Sequence, residues 1–186
     1  MSFQIRKTIV KALCIVGAAS AMQVLFSCDD ETTSTYSKKD PVNCSFSVLQ
    51  YTELFNVIGN FGQFASIRPS GATLIMQSSA SKTTYNRDAT QKYFYFGLGG
   101  LIVGTNHEGE YRAYDLACPN CNRVDKRLTV TDDGYAKCSS KNCHITYNLN
   151  QNGIISEVPE ENVHDKPRGL LRYRITYDGQ YIHVYN

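Results

Sequence analysis

Cys118-Pro119-Asn120-Cys121, a connecting hairpin, then Cys138-Ser139-Ser140-Lys141-Asn142-Cys143: these two cysteine pairs, sixteen residues apart, decide how the chain reads. Between them Leu128-Thr129-Val130 enters the turn Asp132-Asp133-Gly134 and Tyr135-Ala136-Lys137 leaves it. A short hairpin whose two ends carry close cysteine pairs brings four thiols to one point. That arrangement suits a tetrahedral zinc or iron ion, an iron–sulfur cluster, or two disulfides. Cys-x2-Cys with Cys-x4-Cys has the spacing of a four-thiolate metal site, with His144 able to substitute for one thiolate. In the disulfide alternative, pairing Cys118 with Cys138 and Cys121 with Cys143 would staple the same two loops. Three connectivities are open to four cysteines, and the spacing does not choose among them.

Outward from this region the pattern is β. Thirteen Tyr and eight Phe, with no Trp, favour pleated, half-buried surfaces. Cys44, Phe46 and Val48 alternate with Asn43, Ser45 and Ser47. Residues 72–76 and 93–96 are short apolar or aromatic runs, and 101–103 with 111–116 make a hairpin across Asn106-His107-Glu108-Gly109. Cys143, Ile145, Tyr147 and Leu149 alternate up to an Asn152-Gly153 turn. Leu171, Tyr173, Ile175 and Tyr177 alternate with Arg172, Arg174 and Thr176 before Asp178-Gly179, a strong hairpin signal, with Ile182 and Val184 on the partner strand. The group Leu54, Phe55, Val57, Ile58 fits one helical turn or an irregular strand. Short strands with a turn every ten residues or so indicate an all-β sandwich or barrel.

The start of the chain is set apart. Arg6, Lys7 and Lys11 precede an uncharged run over 12–27, which reads as a secretory signal too short and too rich in small residues to span a membrane. It ends in Leu25-Phe26-Ser27-Cys28, which resembles a bacterial lipobox, so residues 1–27 are expected to be cleaved and Cys28 lipidated, tethering the protein to a membrane. Residues 28–40 are polar and form a flexible tether, its acidic start resembling the surface-export signal of lipoproteins in the Bacteroides group. Order begins at Pro41, giving one domain over 41–186, with the two-loop subdomain at about 112–152. The signal holds three of the nineteen Lys and Arg and none of the seventeen acids; the mature chain therefore has sixteen basic residues and net charge −1. No basic patch argues for nucleic acid.

Read in this context, the cysteine region resembles the Rieske domain, in which a Cys-x-His loop and a Cys-x-x-His-Gly-x-x-Phe/Tyr-Asp loop clasp a [2Fe–2S] cluster on a β-sandwich. A hairpin precedes the first loop. Asn152-Gly153-Ile154-Ile155 and a loop containing Pro159 follow the second, and a hairpin over 171–186 closes the chain. The likeness covers about 93–186, more loosely 41–186, and is similar in layout to Rieske-like lipoproteins of the Bacteroides group. It implies a Rieske-like β-sandwich carrying a small zinc-ribbon-like subdomain. The ligands depart from the family: no histidine lies between Cys118 and Cys138, and counting back four from Tyr147 puts Cys143 where the second histidine belongs. Cys138 then stands five residues before it rather than three, an insertion of two.

The expectation is an exported lipoprotein of the cell envelope, anchored in the outer membrane. Cys118, Cys121, Cys138 and Cys143 would hold iron–sulfur or zinc and serve electron transfer with a redox partner if the metal is iron. The alternative is a non-redox binding or scaffolding module with structural cysteines. Cys44 reads as a buried thiol packing as a small hydrophobe. His107 and His183 read as surface or satisfied residues, His164 among Glu160, Glu161 and Asp165 as one with a raised tendency to be charged, and Arg168, Arg172 and Arg174 as a solvated cationic face. Gly97-Leu98-Gly99-Gly100 reads as a strand break rather than a phosphate loop, and no nucleophile–base pair or paired-carboxylate motif stands out.

Overall fold

A computed structural model describes residues 35–162 and 164–186. The signal, Cys28 and most of the tether lie outside the described residues. The chain is all-β, with fourteen strands in two sheets and one α-helix among the described residues. The first seven strands are β1 (Thr35–Tyr36), β2 (Val42–Ser47), β3 (Gln63–Ser70), β4 (Thr73–Gln77), β5 (Lys82–Asn86), β6 (Tyr95–Phe96) and β7 (Leu101–Thr105). They are followed by β8 (Tyr111–Asp115), β9 (Leu128–Val130), β10 (Tyr135–Cys138), β11 (Thr146–Asn148), β12 (Ile154–Glu157), β13 (Leu171–Tyr177) and β14 (Tyr181–Tyr185). The larger sheet runs β5-β4-β3-β7-β8-β13-β14-β2-β6 with β1 parallel to β13; the smaller runs β12-β11-β10-β9.

The larger sheet folds over on itself. Leu74 and Met76 from one wing share a core with Val42, Cys44, Phe46, Ile182 and Val184 from the other. The helix α1 (Thr52–Gly59) adds Leu54 and Ile58 to that core. So the Leu54–Ile58 group, ambiguous in sequence, is helical: Leu54, Val57 and Ile58 recur at helical spacing and are buried, while Phe55 points out.

A second core lies on the opposite face of the central strands. Ile102 and Tyr114 turn away from Leu101, Val103 and Ala113 and pack on Leu128, Ala136, Ile145, Tyr147 and Leu149 of the small sheet. Every residue of β7 is therefore buried, which is why Leu101-Ile102-Val103 is an unbroken apolar run rather than an alternating one. The cysteines sit at the far end of this second core.

The predicted hairpins form in register: β7 with β8, β9 with β10, and β13 with β14. The run at 93–96 is only partly strand, because Gln91–Tyr93 forms a 3-10 turn and just Tyr95 and Phe96 pair. The glycine stretch 97–100 is a fold device, as expected. The buried Asp115 carboxylate accepts the N–H groups of Leu98 (2.7 Å), Gly99 (3.0 Å) and Ala117 (2.6 Å) and the Tyr173 hydroxyl (2.5 Å). Burial pushes the pKa of Asp115 up against these four donors. A Cβ on Gly99 would lie 2.5 Å from the Ala117 nitrogen, so only glycine fits beside the strand that delivers Cys118.

Candidate metal centre

Three elements bring the cysteines together. Strand β8 ends at Asp115, and a bridge between Ala117 and Arg127 holds the chain beside the β9 entry. The Cys118 N–H donates to the Lys126 carbonyl at 2.9 Å, so Cys118 is fixed by backbone pairing. Cys138 is the last residue of β10, opposite Leu128, and its N–H donates to the Ile145 carbonyl at 3.0 Å. Cys143 stands just before β11.

The second cysteine of each pair closes a similar turn. The Asn122 N–H donates to the Cys118 carbonyl at 2.9 Å, and the His144 N–H donates to the Ser140 carbonyl at 3.3 Å. Asn122 (φ 48°) and His144 (φ 50°) both occupy the left-handed region, where Asn and His are among the tolerated residues. The equivalent of Cys118 in the second turn is Ser140, with Cys138 two residues upstream. His144 is thus a turn residue. It borders a different concavity, with Lys137, Glu157 and Pro159, and stands outside the four-cysteine cluster.

The four Sγ atoms all lie within 4.8 Å of one another, and Cys118–Cys143 and Cys121–Cys138 stand at 3.7 Å. All four are free thiols, and a disulfide would need sulfurs about 2.0 Å apart. Such a cluster can hold a metal ion. Cys118, Cys138 and Cys143 are buried, and Cys121 is half-buried.

Backbone N–H groups point at three of the sulfurs: those of Asn120 and Cys121 at Cys118, that of Ser140 at Cys138, and that of Ile145 at Cys143. In each case a donor comes from two residues downstream, which favours the thiolate form. The Cys118 thiol is brought down chiefly by the neighbouring Cys138 thiol, helped by the Tyr147 hydroxyl and its backbone donors against the opposing effect of burial. Cys138 is pushed up by the nearness of Cys118 and by burial. Cys143 is pushed up to about 12, chiefly by burial. One negative charge is thus stabilised by its neighbours, and a full set of four thiolates needs a cation at the centre.

Sequence reasoning missed the shell around the cysteines. The Asn120 amide nitrogen donates to the Tyr147 hydroxyl (2.7 Å) and the Arg168 carbonyl (2.9 Å), and its oxygen accepts the Arg168 N–H (2.7 Å). The Tyr147 hydroxyl in turn lies 3.4 Å from the Cys118 sulfur, and Asn162 donates to the Cys143 carbonyl at 2.8 Å. An Asn inside a Cys-x-x-Cys loop was the one available signal, because its two-faced amide can pin a loop from both sides. Arg168 belongs here and not to the β13 face. His164 borders an open cleft of about 620 Å³ with Cys121, Cys143, Arg123, Lys126 and Lys141.

The remaining candidates lie elsewhere. Cys44 is buried in the main core and donates to the Tyr95 carbonyl at 2.9 Å, with burial pushing its thiol up to about 12. His107 is exposed in its turn, and His183 faces Asp178 at 3.3 Å. No helix among the described residues is long and apolar enough to cross a membrane. No protein-family model matches the chain, and no curated protein or solved structure matches it either.

Proposed function

We propose that Cys118, Cys121, Cys138 and Cys143 hold a single tetrahedral metal ion, and that with iron the protein is a one-electron carrier of the cell envelope. The observation that carries this reading is the tightness of the quartet. Four sulfurs about 2.3 Å from one tetrahedral ion stand about 3.8 Å from each other, close to the 3.7 Å of the two short pairs. A two-iron cluster would set its two thiolate pairs about 5 Å or more apart, beyond the 4.8 Å limit found here. Disulfides need sulfurs to approach only in pairs, so convergence of all four speaks for a shared cation.

Electron exchange is supported by access. Cys121 is half-buried on an open cleft, so a partner can come close to the ion while Cys118 stays sealed inside. The protein would hold and tune the metal and perform no chemistry of its own. The layout of a two-loop subdomain on a folded β-sheet is consistent with a Rieske-like domain in which each histidine is exchanged for cysteine. The lipobox at Cys28 supports export and a lipid anchor in the outer membrane, with the polar residues 29–40 as a spacer.

The deciding experiment is metal analysis with a visible spectrum on the chain purified without oxygen. One iron per chain with thiolate charge-transfer bands is the expected result. One zinc and no colour would make the centre structural, and no metal with oxidised cysteines would sink the reading. Separately, Cys28→Ala should abolish incorporation of labelled fatty acid; undiminished labelling would remove the anchor.

A further inference from the structure

The outer face of β8, β13 and β14 carries a second constellation, remote from the cysteines in sequence and chemistry. Arg112, Arg172 and Arg174 line one small concavity with Tyr36 and Tyr185. Among the described residues one carboxylate meets these three guanidiniums at ion-pair distance, the half-exposed Glu110, which pairs with Arg112. The Nε of Arg112 is buried without a hydrogen-bond partner. Arg172 lies 4.8 Å over the Tyr36 ring and donates to its hydroxyl at 3.1 Å. Among the described residues, neither Arg172 nor Arg174 meets a carboxylate at ion-pair distance. Like charges gathered this way repel one another, and a buried unpaired donor is costly. Both costs are relieved by an anion.

The concavity opens onto a flat shelf. Arg174 is in register with Tyr185, Tyr185 with Asn43, and Asn43 with Tyr95, so these four side chains form one row across four strands. All four are exposed, because their strand neighbours Cys44, Phe96 and Val184 are buried. Tyr185 and Tyr95 stand two strands apart, about 10 Å. Beside this row lie Ser45, His183 and Thr176. The exposed rows therefore offer aromatic rings and hydrogen-bonding groups, while Ala113 and Ile175, the aliphatic residues bordering the concavity, pack into the main core. An acyl chain or an apolar helix finds nothing to bury against. A sugar does: its C–H face packs on a tyrosine ring, its hydroxyls meet the amide and hydroxyl groups, and an acid group on it reaches the arginines.

We propose that this shelf is a binding site for an acidic saccharide, with a carboxylate or sulfate held in the Arg112–Arg172–Arg174 pocket and the sugar rings laid over Tyr185 and toward Tyr95. Glu110 occupies the place of the ligand's acid. An incoming carboxylate or sulfate displaces it and takes the Arg112 fork, including the unpaired Nε, in the two-pronged geometry guanidinium favours.

Titration calorimetry on the metal-loaded chain at low salt tests this, with hexagalacturonate and a heparin hexasaccharide as probes. Polyglutamate, neutral dextran and inorganic phosphate serve as comparisons. At least one acidic saccharide should bind, more weakly as salt rises. Arg172→Ala with Arg174→Ala should weaken it by about tenfold or more, as expected for lost charge-assisted hydrogen bonds. Tyr185→Ala should weaken it severalfold, and Glu110→Gln should strengthen it. All variants should keep the parent's circular dichroism and metal content, since every changed side chain is on the outer face. Absence of saccharide binding, binding indifferent to the arginine pair, or loss of affinity in Glu110→Gln would overturn the proposal. So would equal binding of polyglutamate or of phosphate alone. The result is independent of which metal the cysteines hold.

Discussion

Glu53 shows how a single acidic residue can be fully buried without a cation. It sits in α1 and accepts three hydroxyl donors from β5 and the turn before it: Ser81 (2.9 Å), Thr83 (2.6 Å) and Tyr85 (2.8 Å). Burial opposes its charge, but the three donors together hold its pKa below the usual value. A carboxylate with a lowered folded pKa stabilises the fold above about pH 4.5, its unfolded value, and that contribution disappears as pH falls through the folded pKa. Glu53→Gln should therefore cost about 1–3 kcal/mol near pH 7. The difference from wild type should shrink in acid, as read from urea unfolding at a series of pH values. A constant difference down to pH 2 would contradict the account. At His144 the opposite sign is expected. Its positive φ carries a steric penalty that glycine lacks, offset by the greater freedom of glycine in the unfolded chain. His144→Gly should leave stability unchanged or raise it by up to about 1 kcal/mol, with metal stoichiometry intact. Loss of the metal would make His144 a ligand after all.

Among the elements, hairpins were the most legible and pairings of distant strands the least. Asp132-Asp133-Gly134, Asn106–Gly109 and Asp178-Gly179 each announce a turn through local backbone chemistry, and each turn is found. Strand β3 was invisible because Arg68, Pro69 and two serines interrupt its apolar positions. Pro69 is tolerated because β7 pairs with β3 only as far as Ile67, so its ring lies beyond the doubly paired stretch. Strand β5 was missed for a related reason: Lys82-Thr83-Thr84-Tyr85-Asn86 faces the helix with the hydroxyls of Thr83 and Tyr85, and the carboxylate they serve is thirty or more residues away in sequence. Of the candidate site, the four cysteines were legible because spacing carries the ligand pattern. Asn120 and Asn162 were not, since each joins a cysteine loop to the loop between β12 and β13: Asn120 reaches Arg168 in that loop, and Asn162 reaches out of it to the Cys143 carbonyl. Removing one of these clasps tests its weight. Asn120→Ala releases the first loop from both Tyr147 and Arg168, and metal affinity should fall by about ten- to a hundredfold in competition with a chromophoric chelator. An unchanged affinity would show that the cysteine turns hold themselves.

At the scale of the whole molecule, a metal that binds only the folded chain must raise its stability. At a free concentration a thousandfold above Kd the gain is about 4 kcal/mol. For a chain of this size that moves the thermal midpoint up by roughly 10 °C. Chelator should reverse the shift, and Cys138→Ala should show the lowered midpoint with or without metal. Equal midpoints for loaded, chelated and mutant protein would mean that the quartet takes no ion. The central position of β7 gives this shift a wider reach. Because Leu101 and Val103 belong to one core and Ile102 to the other, neither core can melt while its neighbour stays whole. An ion seated at one end therefore slows amide exchange in β7 and in strands on the far wing that it never touches. Ligand occupancy would be recorded throughout the sheet as a common protection factor instead of a local one.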